Sequence, residues 1–270
     1  MAQTLKVESQ GTPLSVQTAG RGAPVVFLHA AVCDRRMWAA QMDALAGSHR
    51  VIAYDRPGFG GSPARSSACS SIADWLAVLD HLGVAEPVVL VACSQGGRIA
   101  LEAALAHPDR VRGLFLVAPT LSGAPTPQHA QEIAQLLREQ QRVEEAQDMP
   151  LLNAIKAHLW LDGPLSPAQR VGGEARALFL EMNAIALSSS NQRGAETDDL
   201  PVHGRLREIQ APAWVAWGDL DFPHIQERSQ MAAQQLPNGD GAVLQGTAHL
   251  PSLERPECIN RLLRAFLGGL

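Results

Sequence analysis

Hydrophobic and polar positions alternate between two patterns along the first half of the chain. Short, nearly continuous apolar runs predict buried strands over 25–28, 51–54, 88–92 and 114–117. Between them, apolar residues at helical spacing predict helices over 37–45, 72–82 and 96–106, the last closed by Pro108. Strands that are apolar on both faces and separated by helices imply an α/β fold, a mostly parallel sheet covered by helices on each side.

The alternation stops after Ala118 and Pro119. Gly123, Pro125 and Pro127 mark a loop, and a Gln- and Glu-rich stretch with helical spacing at Ile133, Leu136 and Leu137 follows. Helical patterns run to about Ser190, and strand patterns return at 214–217 and 242–244. A terminal helix then shows one apolar face at Ile259, Leu262, Leu263 and Phe266. The organisation expected is one α/β core from residues 1–120 and 206–270, interrupted by a helical cap over 121–205. The apolar residues of that insertion, among them Leu159, Trp160, Leu178, Phe179 and Met182, either form its own core or face a pocket beneath it. Trp160 is the one we expect against a substrate.

Composition narrows the function. With 46% hydrophobic residues, 18% charged residues and a net charge of -5, the chain has an ordinary globular balance and no basic run to attract nucleic acid or an anionic membrane. A small molecule is the expected partner. No signal-like or membrane-spanning stretch is evident, so a cytoplasmic location is expected. Cys33, Cys69, Cys93 and Cys258 lie at neither metal-ligand nor redox-motif spacing, and we expect no disulfide and no metal.

The chemistry begins at Ala92, Cys93, Ser94, Gln95, Gly96, where a buried strand turns abruptly into a helix. Small residues two before and two after a serine let strand and helix approach closely and leave its hydroxyl at the top of the sheet. The pattern alone arises by chance on the order of 0.2 times in a chain of this length. Its strand-to-helix context is what makes Ser94 a candidate nucleophile rather than a helix cap. A serine needs a base to take its proton and a carboxylate to orient that base. His249 stands in the loop after the last strand. Asp221 follows the preceding one, whereas Asp219, beside Gly218, suits a role in holding turn amides. Two amides would hold an oxyanion: that of Gln95, next to the serine, and that of Ala31, after the first buried strand. His29, Cys93 and Asp55 are weighed against these. His29 suits a loop-holding role, Cys93 sits on the wrong rung of the elbow, and Asp55 belongs to a structured Pro- and Gly-rich loop.

As a set, these residues resemble the α/β-hydrolase superfamily. The stretches that carry the likeness are His29 to Ala31, Arg36 to Trp38, Asp55 to Ser62, Cys93 to Gly97, Gly218 to Asp221 and His249 to Pro256, with alanines replacing glycines at Ala30 and Ala92. Leu159, Trp160, Leu161, Asp162, Gly163, Pro164 looks like a cap motif of the branch containing enol-lactone hydrolases and small carboxylesterases. The resemblance implies a cofactor-free serine hydrolase in the chain order Ser94, Asp221, His249, acting on a small carboxylic ester or lactone. Carbon–carbon bond hydrolysis of ring-fission products, cofactor-free perhydrolase or haloperoxidase chemistry, and ligand sensing without turnover are the rival readings. Arg170, Arg176 or Arg193 directed into the pocket would indicate an acidic substrate.

Overall fold

The computed structural model describes residues 2–198 and 200–270. Its strands are β1 (Gln3–Ser9), β2 (Thr12–Ala19), β3 (Pro24–Leu28), β4 (Arg50–Tyr54), β5 (Val88–Cys93), β6 (Val111–Val117), β7 (Ala213–Gly218) and β8 (Gly239–Leu244). They form one sheet in the order β1-β2-β4-β3-β5-β6-β7-β8, antiparallel at β1·β2 and β2·β4 and parallel in every other pairing. The α/β architecture expected from the apolar runs is present.

Side chains of the central strands alternate between two apolar faces, which is why their sequences read as continuous runs. Val26, Leu28, Leu90, Ala92, Leu114 and Leu116 pack with helices α2 (Ser71–His81) and α3 (Gln95–Ala106). Val25, Phe27, Val89, Val91, Phe115 and Val117 point the other way, toward α1 (Ala39–Leu45) and the terminal helix Pro256–Gly268. Burying a leucine or phenylalanine of this kind contributes about 1.5–3 kcal/mol, so both helical layers are tied firmly to the sheet.

Between β6 and β7 lie helices α4 (Gln131–Glu145), α5 (Met149–Ala157) and α6 (Gly173–Ser188), with a π-helical turn over His158–Asp162. Their apolar residues are divided rather than pooled. Phe179 and Met182 of α6 join the layer against Met37, while Leu159 packs with Ala118, Ile133 and Phe222. Leu121 and Val202, near the two ends of the insertion, are buried in the core beside the sheet. Helix α7 (Pro223–Gln235) follows β7, and α8 (Pro251–Glu254) and α9 (Pro256–Gly268) end the chain.

Three elements differ from the pattern reading. The hairpin β1–β2 is absent from it, because only alternate residues of β1 are covered and β2 buries Thr12 and Ser15 among its apolar residues. Its turn holds Gln10 and Gly11 at φ 49° and 76°, the mirror-image conformation favoured in two-residue hairpins. Helix α7 is polar along most of its length and buries only Ile225, Ser229 and Ala232, too few for a clear apolar stripe. The segment expected as a helix over 37–45 begins as a 3₁₀ turn at Arg35–Trp38, capped by the Asp34 carboxylate accepting from Arg36 N, before α1.

The connections after β3 and β5 leave in opposite directions, to β4 on one side and β6 on the other. Such a switch opens a crevice at the carboxyl ends of two adjacent parallel strands. Ala31 and Ser94 follow those two strand ends.

Candidate active site

Ser94 links β5 to α3 at φ 54° and ψ -117°, a left-handed conformation uncommon for a residue with a side chain. Its backbone is fully engaged: the amide donates to Val117 O at 3.0 Å, and the carbonyl accepts from Arg98 N and Thr120 N at 3.1 and 3.0 Å. Gly96 explains the sharpness of the turn. A Cβ there would collide with the carbonyls of Leu28 and His29, so only glycine lets α3 start this close to β3. The Ser94 side chain is half-buried and has no hydrogen-bond partner among the described residues.

His249 and Asp221 are brought together by the ends of β7 and β8. Gly218 lets the loop after β8 lie against β7, since a Cβ there would strike the carbonyls of Thr247 and Ala248, and Leu220 N donates to Thr247 O at 2.9 Å. His249 Nδ1 stands 2.7 Å from Asp221 Oδ2, and both residues are buried. The other carboxylate oxygen, Oδ1, accepts from Phe222 N at 2.7 Å, which fixes the plane of the group. Asp219 accepts from Gly246 N at 2.6 Å and so holds the turn, as its position beside Gly218 led us to expect. Cys93 Sγ donates to His249 O at 3.7 Å, tying the end of β5 to the histidine loop. The Trp160 ring lies 4.8 Å from those of His249 and Phe222.

Ala31 and Gln95 line a cavity of about 500 Å³ together with Trp160, Phe59, Arg56 and Arg193. Neither amide is taken by another protein group among the described residues, and Gln95 opens α3, where backbone N–H groups have no partner inside the helix. Free amides at the ends of two adjacent parallel strands suit a developing negative charge.

The remaining candidates have other work. His29 is buried, its Nδ1 placed 2.8 Å from Ala30 O and its Nε2 accepting from Arg56 N at 3.1 Å; burial, aided by the Arg56 charge, pushes its pKa well down and keeps it neutral. Burial, and after it the Asp221 charge, raises the Cys93 pKa, so the thiol stays protonated. Asp55 accepts from Arg35 N and Gly61 N at 2.8 Å each and pairs with the Arg35 guanidinium, which makes it the anchor of its loop.

Sequence reading missed a support behind His249. Glu254 accepts from Ala248 N at 2.8 Å and from Arg170 Nη2 at 2.6 Å. Arg170 also donates to the carbonyls of Leu161, Asp162 and Gly246 at 2.9, 2.6 and 3.2 Å, and Asp162 pairs with Arg176 at 2.9 Å. Arg170 and Arg176 therefore serve the junction between the inserted helices and the histidine loop. Removing Arg170 strands the buried Glu254 carboxylate, so Arg170→Ala is expected to cost roughly 3 kcal/mol, a fall of ~5 °C in Tm. A thermal unfolding midpoint within ~2 °C of the parent would contradict this role.

Comparison with known proteins agrees with this architecture. The model of the alpha/beta hydrolase family matches residues 25–258. The chain is 26% identical over 257 residues to the (E)-2-((N-methylformamido)methylene)succinate hydrolase of Acinetobacter baylyi, spanning 92% of this chain and 91% of that protein. It is 30% identical over 276 residues to the 2-hydroxy-6-oxononadienedioate/2-hydroxy-6-oxononatrienedioate hydrolase of Paraburkholderia phymatum, spanning 96% and 92% of the two chains. In fold it is similar to the enol-lactonase from Burkholderia xenovorans, with a TM-score of 0.78 at 21% identity over 98% of this chain and 100% of the other. With the family model reaching from β3 into the terminal helix, the chain belongs to the alpha/beta hydrolase family.

Proposed function

We propose that the protein is a serine hydrolase that cleaves a small carboxylic ester or lactone through an acyl-enzyme on Ser94. The observation that carries this reading is the 2.7 Å contact between His249 Nδ1 and Asp221 Oδ2 in a loop tied to Cys93, the last residue of the strand before Ser94. With Nδ1–H donating to the carboxylate, Nε2 is left as the basic nitrogen. His249 takes the proton of Ser94 as Oγ attacks the substrate carbonyl. The amides of Gln95 and Ala31 receive the oxyanion, where one well-placed donor contributes about 3 kcal/mol to lowering the barrier. His249 then gives its proton to the leaving oxygen. In a second half-reaction it activates water against the acyl-enzyme, and the acid and free Ser94 are released. The protein's own groups supply nucleophile, base and oxyanion donors, and the scheme calls on no metal or organic cofactor. The helices of 121–205 serve as a cap over the cavity, with Trp160 packed against substrate beside His249.

The test is direct: the protein is expected to hydrolyse short 4-nitrophenyl esters with a burst of nitrophenol stoichiometric with enzyme at early times, and to be inactivated by a fluorophosphonate. Absence of ester turnover together with resistance to the fluorophosphonate would sink the reading. Carbon–carbon bond hydrolysis is the rival that the comparison with the dienedioate hydrolase keeps in view. Turnover of a ring-fission product with none of an ester would favour it.

A further inference from the structure

The charges around the cavity do not balance. Six charged side chains line it: Arg56, Arg65, Asp74, Lys156, Arg193 and Glu196. Both carboxylates are taken by protein donors. Asp74 holds Arg65 in a two-pronged pair at 2.9 and 3.0 Å, and Glu196 accepts from Ser71 N at 2.9 Å, the Ser71 hydroxyl and Arg98 Nη2 at 3.1 Å. That leaves Arg56, Lys156 and Arg193 with no carboxylate partner among the described residues.

Two of the three cations are gathered at one point of the cavity wall. The guanidinium carbons of Arg56 and Arg193 lie 4.7 and 4.4 Å from the centroid of the same ring, Phe59, so two like charges are gathered at one aromatic side chain. Arg56 is only 4% exposed, and its hydrogen bonds run to His29: Nη2 donates to His29 O at 3.0 Å, and Nε faces Nε2 at 3.4 Å. Among the described residues the Arg193 guanidinium makes one hydrogen bond, from Nη2 to Ala186 O at 3.2 Å. Burial pulls the pKa of Arg56 down to about 10, with the Arg98 and Arg193 charges acting in the same direction, and burial lowers those of Arg193 and Lys156 too. Glu196 opposes the shift at Arg56 and Glu144 that at Lys156, but neither carboxylate pairs directly with these cations. Buried or half-buried cations without a directly paired carboxylate recur where an anionic ligand completes the site.

We infer that Arg193 and Lys156, backed by Arg56, form a carboxylate subsite, and that the substrate is an ester or lactone carrying a second, free carboxylate. The inference rests on the hydrolase reading for which bond is cut, since Ala31 and Gln95, the oxyanion donors of that reading, line the same cavity. A carboxylate matches the planar donor fork of a guanidinium and carries one negative charge. A doubly charged phosphate would meet stronger repulsion from Asp74 and Glu196, which also line the cavity. Of the three arginines considered from sequence as markers of an acidic substrate, Arg193 lines the cavity, while Arg170 and Arg176 are spent on Glu254 and Asp162.

Two measurements separate this subsite from the hydrolase reading. The first compares kcat/KM for the monomethyl esters of succinate, glutarate and adipate with that for methyl butyrate, followed by acid release. The best half-ester is expected to exceed the neutral ester at least tenfold. Arg193→Gln should cut that ratio about tenfold or more, since a hydrogen bond to a charged group contributes ~1.5–3 kcal/mol, and Arg193→Lys should restore part of it. The second is calorimetric binding of free glutarate to the Ser94→Ala protein, which needs no turnover. Binding that is lost in Ser94→Ala/Arg193→Gln and not displaced by equal inorganic phosphate is the expected result. Neutral ester hydrolysed as well as every half-ester, with no glutarate binding, overturns the subsite and leaves the hydrolase intact. Arg193-dependent glutarate binding without turnover of any ester supports the subsite and sinks the hydrolase. Equal displacement by phosphate overturns the choice of carboxylate.

Discussion

Ser94→Ala is expected to lower kcat for a short 4-nitrophenyl ester by about 10⁶-fold, to the residue of rate that oxyanion donors and binding alone sustain. The size follows from the chemistry. Without Oγ there is no acyl-enzyme, and a water attacking in its place would have to be held where a methyl group now sits. The loss should not come from misfolding. The hydroxyl makes no hydrogen bond to another described residue, while the three backbone hydrogen bonds of Ser94 survive the substitution. Alanine inherits the φ of 54° with much the same strain. Thermal unfolding should therefore stay close to that of the parent while activity disappears. A variant that retains even a hundredth of the parental kcat would contradict the assignment.

The second large effect is expected at Asp221→Asn, a fall of about 10⁴-fold in kcat. Phe222 N donates to Oδ1 at 2.7 Å, so an asparagine there keeps its carbonyl oxygen toward that amide and turns its NH₂ toward His249. An NH₂ facing Nδ1 demands that Nδ1 accept, which places the ring proton on Nε2 and leaves no basic nitrogen for Ser94. The defect is thus one of tautomer as well as of lost charge. Asp221→Ala, which imposes no tautomer, should be less damaging per unit of charge removed. Steady-state kinetics with each purified variant checks the order, and an Asp221→Asn enzyme within tenfold of the parent would contradict it.

How much of this was legible in the sequence depends on what each residue packs against. The parallel strands β3, β5 and β7 are covered on both faces, so their apolar runs stand out whatever lies beyond them. The hairpin β1–β2 and helix α7 carry one thin apolar face each, and neither pattern rises above the polar residues around it. The juxtaposition of Asp221 and His249 was accessible because each follows a recognisable strand. The close approach of the His249 loop to β7 is encoded locally in Gly218, as that of α3 to β3 is in Gly96, where a Cβ has no room. The support from Arg170 and Glu254 was hidden, since it joins two residues 84 positions apart by a contact that leaves no periodic trace. The same holds for the cationic side of the cavity. Arg56 lies in a Pro- and Gly-rich loop, Lys156 in α5 and Arg193 beyond α6, and only the fold of the inserted helices over the sheet gathers them.

Chain position also explains which polar residues proved structural. His29, Asp55 and Asp219 each sit one residue past a strand end, among loops whose backbone groups need partners, and each is engaged by such a group. Ser94 differs in that its backbone is satisfied and its side chain is not.

The most direct test of the central claim is the site of covalent labelling. The protein is treated with a fluorophosphonate, digested, and the modified peptide located by mass spectrometry. The account predicts one stoichiometric adduct on Ser94, formed in step with loss of ester hydrolysis and absent from Ser94→Ala. Full inactivation with the adduct on another residue, or undiminished hydrolysis with Ser94 fully modified, would contradict it.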